Sequence, residues 1–230
     1  MPRRPHTRVR ACPAASRAAD LMTALALAGL LAGAPAARAE GEVNPAEMEA
    51  AYLPHIAEFT TWPEGSFADP GAPLVIGVAG KDRSGVAGIL RRRIEGKGLS
   101  AQKRPIVVRK LPDAGPASRR DFEARLGECH LLFLSGSEGE KWPELRAILD
   151  RKAIVTVSEI EGFARRGGMI EFAFDAAKGR VRMYIDVEAV KRAGLRLSSK
   201  LLDLKTVVTI VDNPPPGAAG ALVGDPRRPG

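Results

Sequence analysis

The chain has 230 residues, 35 of them basic and 27 acidic, a formal charge of +8, and two cysteines. This length suits one domain with a substantial core, and two cysteines exclude a disulfide-rich scaffold. The charge does not make this a nucleic-acid binder, because much of it belongs to the N-terminal leader.

In that leader Arg3, Arg4, Arg8, Arg10 and Arg17 precede an apolar run from Leu21 to Leu31, which closes at Ala37-Arg38-Ala39. A basic start, a short apolar stretch and a small-x-small site form a secretory signal. The run is shorter than the roughly 20 apolar residues a membrane span needs. Cleavage is expected after Ala39, which leaves a domain over 40–210 and a Pro- and Gly-rich tail over 211–230 expected to be disordered. Removal of 1–39 takes away six basic residues and one acidic one, so the balance falls from +8 to about +3. Cys12 leaves with the leader. Cys129 then stands alone ahead of the apolar run "HLLFL", and a buried, inert thiol is expected.

The first predicted helix is "NPAEMEAAYLPHIAEFTTWP". Asn44 caps it, Pro45 suits its first position, and Glu47 stands where a capping box places an acid. The spacing of Met48, Tyr52, His55 and Phe59 predicts that these four form its apolar face. Pro54 should kink the helix, and Trp62-Pro63 should end it. Strands follow at 73–80, 104–111, 130–134 and 153–158, separated by helical segments in "SGVAGILRRRIEG", "ASRRDFEARLGE" and "SEGEKWPELRAILDR". This alternation predicts an α/β fold with a mainly parallel sheet flanked by helices. "GGMIEFAFDAAKGRVRMYIDV" then reads as two strands with a connection too short for anything but a C-terminal antiparallel hairpin. Ser198 is expected to cap a last helix in "SKLLDLKTVV".

The chemistry-bearing motifs are sparse. "GVAGKDRSG" at 77–85 follows a strand, but its glycines are too close for a phosphate loop and Asp82 replaces the metal-binding hydroxyl; the dinucleotide fingerprint also fails. Ser135 in "FLSGS" lacks a nucleophile elbow. His55 and His130 are far apart in sequence, and Cys129 and His130 should face opposite sides of a strand. The acid pairs Glu138/Glu140 and Glu159/Glu161 read as solvated surface. No catalytic set, metal site or cofactor is expected.

One stretch is more informative: "EGFARRGGMIEF", residues 161–172. Gly167-Gly168 precedes a strand rather than a helix, so the pair suits a tight turn better than an anion cradle. Arg165 and Arg166 would then lie on an exposed loop suited to an acidic partner or a ligand carboxylate. Met169 and Ile170 join them as candidate contacts, with the core as their alternative, and Arg182 follows on the last hairpin strand.

"AYLPHIAEFTTWPEGSF", "PLVIGVAGKD", "CHLLFLSGSE", "GFARRGGMIEF" and "RAGLRLSSKLL", in this order, resemble the YfiR/HmsC-like periplasmic proteins from about Met48 to Val208. The resemblance implies an exported, non-catalytic α/β domain that restrains an inner-membrane diguanylate cyclase by binding its periplasmic part. That action would lower cyclic di-GMP and biofilm formation. It also implies a possible outer-membrane partner that sequesters the repressor, homodimers in some members, and, as an alternative, a small-ligand sensor or accessory subunit for a membrane sensor kinase. Cys129 has no partner within the mature chain, so the disulfides of some members do not carry over. Pro54 departs from the usual long aliphatic first helix.

Overall fold

The computed structural model describes residues 44–213 other than 113; the leader and the tail beyond Asn213 lie outside the described residues. In chain order the elements are α1 (Pro45–Glu58), β1 (Thr60–Thr61), β2 (Leu74–Ala79), α2 (Val86–Lys97), β3 (Ser100–Ala101), β4 (Arg104–Lys110), α3 (Arg119–Leu126) and β5 (Leu131–Leu134). Then come α4 (Trp142–Leu149), β6 (Val155–Ser158), β7 (Ile170–Asp175), β8 (Arg180–Ile185), α5 (Val187–Arg192), β9 (Arg196–Leu197), α6 (Ser199–Leu202) and β10 (Val208–Ile210). The main sheet has eight strands in the order β10-β8-β7-β6-β5-β2-β4-β3. Strands β4, β2, β5, β6 and β7 run parallel, β8 turns back against β7, and β10 is parallel to β8. This is the expected α/β architecture with its antiparallel hairpin.

The central strands β2, β5 and β6 are buried along their whole length. Helices on both faces require this of a parallel sheet. One face carries Leu53 and Ile56 of α1, Ile89 and Leu90 of α2 and Val190 of α5. The other carries Phe122 and Leu126 of α3, Trp142, Leu145 and Leu149 of α4, and Phe163. Because α2 and α3 lie on opposite faces, the chain direction reverses at β2: β4 lies on one side of it and β5 on the other.

Several local expectations change. Asn44 accepts from Ala46 N–H at 3.0 Å as a cap should, but the Glu47 carboxylate pairs with Arg93 at 3.5 Å instead of closing a capping box. Helix α1 passes through Pro54 and ends at Glu58, before Trp62. Its buried stripe is Ala46, Glu49, Ala50, Leu53, Ile56 and Ala57. Met48, Tyr52 and Phe59 are only half buried, and His55 is exposed. Small alanines let this stripe approach its neighbours closely, so the larger residues flank it instead of forming it. The last predicted helix is a single turn, Ser199–Leu202, followed by strand β10. The run Thr206 to Val211 is wholly β-branched, which suits a strand on the half-covered edge of a sheet. Val211 is buried and donates to the Ile185 carbonyl at 2.8 Å, so the fold continues past residue 210.

Candidate functional site

The stretch 161–172 connects β6 to β7 and is pinned from several sides. The Phe163 ring is fully buried and packs on Trp142 of α4, with centroids 4.3 Å apart. The Trp142 indole N–H donates to the Arg166 carbonyl at 3.2 Å. A single 3-10 turn, Ala164–Arg166, ends at Gly167, whose φ of +87° is left-handed. Gly168 N–H then returns to the Phe163 carbonyl at 2.9 Å. From β7 the buried Glu171 carboxylate reaches back and accepts from Gly162 N–H at 3.0 Å and Ala164 N–H at 3.1 Å. Thr156 of β6 accepts from Met169 N–H at 3.1 Å. Asn213, beyond β10, donates to the Ala164 carbonyl at 2.6 Å and to Asp186 Oδ2 at 2.8 Å.

These contacts decide between anion cradle and turn. The N–H groups of Gly162, Ala164 and Gly168 that could have faced a phosphate are all taken by groups of the protein itself. The glycine pair makes a turn, and the motif forms a rigid mount for its arginines.

The two arginines differ. Arg166 folds back, donating to the Glu161 carbonyl at 2.8 Å and the Gly162 carbonyl at 3.4 Å. Arg165 is exposed and, among the described residues, makes no hydrogen bond or ion pair. Beside the turn lies a cleft of about 450 Å³ lined by Gly167 and Met169, by Arg146 and Arg151 from the α4 side, and by Arg192 of α5, with Asp150 as its acidic member. The Arg146 guanidinium lies over the Gly167 backbone. Guanidinium groups at a rim present paired donors in a planar fork that fits carboxylates, so this cleft can receive acidic side chains.

The remaining candidates separate. Met169, 7% exposed, lines the cleft while packing on the core. Ile170 is 0% exposed and belongs to the core, so it offers a partner no surface. Strand alternation explains why only one of two neighbours reaches the cleft. Arg182 is not beside the turn: Ile170 pairs with Ile185 and Ala173 with Arg182, which puts it about 10 Å farther along the hairpin. Its guanidinium donates to Thr209 Oγ1 at 3.2 Å.

Three titratable groups have shifted acidities. Glu49, on the buried stripe of α1, is 4% exposed, and its Oε2 has no hydrogen-bond partner. Burial, with the charges of Glu159 and Asp82 adding to it, raises its pKa to about 8. The sequence reading missed Glu49, although its spacing of four and seven to Leu53 and Ile56 was a signal. Burial raises the Cys129 thiol to about 11, and its Sγ donates to the Arg125 carbonyl at 3.3 Å. Burial lowers His130 below its ordinary value. Its ring stacks on Phe67 at 4.2 Å; Nδ1 accepts from Val75 N–H at 3.1 Å, and Nε2 lies 3.0 Å from the Ser66 carbonyl. The Ser135 hydroxyl is buried and meets the Ser137 hydroxyl at 2.9 Å.

With fold and turn in view, a profile of the YfiR/HmsC-like family matches residues 46–222. The chain belongs to the YfiR/HmsC-like family. Members of this family are periplasmic, non-catalytic regulators of diguanylate cyclases. No curated protein sequence matches the chain closely enough to serve as a relative. Among the described residues no helix is long and apolar enough to cross a membrane.

Proposed function

We propose that this protein is an exported, non-catalytic regulator that restrains an inner-membrane diguanylate cyclase by binding an acidic segment of its periplasmic part. Family membership supports the class of partner. The observation that carries the site is the cleft of Arg146, Arg151 and Arg192, which Gly167 and Met169 line at the end of the turn that carries the exposed Arg165, a turn whose backbone N–H groups are satisfied internally. A rigid mount lets charged side chains meet a partner without first ordering a loop. Restraint further requires that the protein bind the cyclase's inactive state more tightly than its active one, since equal affinity would shift nothing.

The test is cellular cyclic di-GMP in four strains: one lacking the protein, one complemented with the whole chain, one complemented without residues 1–39, and one carrying Arg165→Glu with Arg166→Glu. The expected result is a rise on deletion that only the exported form reverses, and failure of the double variant to reverse it although it is folded and exported. Unchanged cyclic di-GMP on deletion, with the protein shown to be present beforehand, removes the cyclase reading. Full restraint by the double variant removes this surface.

A further inference from the structure

The segment between β1 and β2, residues 62–73, folds over the amino ends of the central strands, at the opposite edge of the sheet from the 161–172 turn. Two side chains of the sheet hold it there. Arg104, at the start of β4, donates from Nη1 to the Asp69 carbonyl at 2.9 Å and to the Ala72 carbonyl at 2.8 Å. Its guanidinium also lies 3.9 Å from the centre of the Phe67 ring. His130, just before β5, stacks on the same ring at 4.2 Å with 10° between the planes. Two groups this close to one ring centre occupy opposite faces, so Phe67 is sandwiched between them. Beneath the segment is a cavity of about 550 Å³, walled by Gly65, Ser66 and Ala68 on one side and by Val75, His130 and Ile154 at the strand ends on the other.

The two anchors respond differently to acid. Arg104 keeps its charge at every relevant pH, whereas His130 can gain a proton. Its Nδ1 accepts from Val75 N–H at 3.1 Å, and a backbone N–H cannot reverse its role. Nε2 therefore carries the ring's hydrogen and donates to the Ser66 carbonyl at 3.0 Å. A second proton would go to Nδ1 and set two N–H groups against each other. The imidazole is rigid, so it cannot swing away from Val75 without giving up Phe67 and Ser66 together.

The surroundings do not compensate the cation. From β4, Arg104 lies across Phe67 from the ring. At the cavity, Arg109 and Glu128 pair with each other, Lys152 adds a positive charge, and Cys129 is a neutral thiol. Among the described residues no carboxylate bonds the ring. Burial, and after it the Arg104 charge, outweigh the Ser66 carbonyl and hold His130 below its ordinary value.

We propose that residues 64–68 form a strap that neutral His130 holds closed over this cavity and that protonated His130 releases. The device is independent of the cyclase reading and is tested on the purified protein alone.

The experiment is amide hydrogen exchange and histidine ring titration by nuclear magnetic resonance on the purified exported protein from pH 7.5 to 5.0, with exchange corrected for its intrinsic pH dependence. Two amides report. Val75 N–H reads the contact with the ring, and Ser66 N–H, which donates to the Pro63 carbonyl at 3.3 Å, reads the strap itself. Once the strap is open the ring takes its proton at about 6.5, so acid favours the open state. Protection of both amides should fall by about fivefold or more, starting below about pH 6.5 and levelling off where the His130 ring is fully protonated. Amides within β5, buried along its length, should keep theirs, and exposed His55 is the ring control. His130→Asn cannot gain a proton, so its strap should show no pH dependence at any level of protection. If that variant does not fold, the shape of the native profile carries the test. Unchanged Ser66 protection down to pH 5.0 overturns the proposal, even if Val75 loses its own. So do a parallel loss within β5, a decline that continues after the ring is fully protonated, or an equal pH dependence in folded His130→Asn.

Discussion

The ring of Phe163 lies against the backbone of Gly168 and fills the space that a side chain at residue 168 would need. Gly168→Ala should therefore push the ring off Trp142 and strain the turn, at a cost of about 1–3 kcal/mol. Gly167→Ala should cost less, about 1–2 kcal/mol, because its penalty is the left-handed backbone and its steric neighbour is the movable Arg146 side chain. Denaturant unfolding of both variants checks the order. If Gly168→Ala proves as stable as the native protein, the ring does not depend on the glycine.

Glu49 gives the molecule an alkaline limb. Its folded value of about 8 lies above the ordinary 4.5, so the folded state holds a proton that the unfolded chain releases. The stabilisation is complete below about pH 4.5 and is lost as pH rises through about 8. Glu49→Gln should flatten this decline and gain about 1–3 kcal/mol at pH 8.5. Thermal unfolding from pH 6 to 9 measures it; parallel curves for the two proteins would show that Glu49 ionises without penalty.

His130 acts with the opposite sign. Val75 N–H must donate to Nδ1, which leaves Nε2–H to donate to the Ser66 carbonyl, so the neutral ring satisfies both contacts and the charged ring does not. A value held below the ordinary 6.5 means that the unfolded chain binds the extra proton. Stability is then present above about pH 6.5 and is lost as pH falls. His130→Asn should lower stability at pH 7.5 by about 1 kcal/mol and make the fall toward pH 5 shallower. Since Glu49 has the opposite slope over part of this range, the His130 limb is best measured in the Glu49→Gln background. A fall of undiminished slope in that double variant would assign the acid limb elsewhere.

Cys129 is buried and its thiol is raised to about 11, so the thiolate is scarce at neutral pH. An aromatic disulfide reagent at pH 7.5 should leave the folded protein about 100-fold less reactive than the urea-unfolded chain, in line with the depressed thiolate fraction and the buried sulfur. Equal rates would mean that the segment around Cys129 opens readily.

Much of the architecture was legible from local pattern. Short branched runs marked β2, β5 and β6, and Asn44-Pro45 marked the start of α1, because strand burial and helix capping depend on neighbouring residues. The connection between β7 and β8 was too short for any arrangement but a hairpin. The turn at Gly167 was also legible, since a glycine pair ahead of a strand has no helix end to offer an anion.

Tertiary structure decided what depends on distant neighbours. Residue spacing could not choose between the adjacent stripes of α1; close packing of alanines did, and it buried Glu49 while leaving His55 in solvent. Nor could sequence separate Arg165 from Arg166: one folds onto its own turn and the other stays free, because only one of them can reach the carbonyls of Glu161 and Gly162 from that geometry. Thr206 to Val211 became a strand because β8 had an open edge to receive it. Lys81 after β2, Lys110 at the end of β4 and Glu138 after β5 line one cavity although they are far apart in the sequence. Local preferences set each element, but burial, pairing and shared cavities are properties of contacts that only the folded chain brings together.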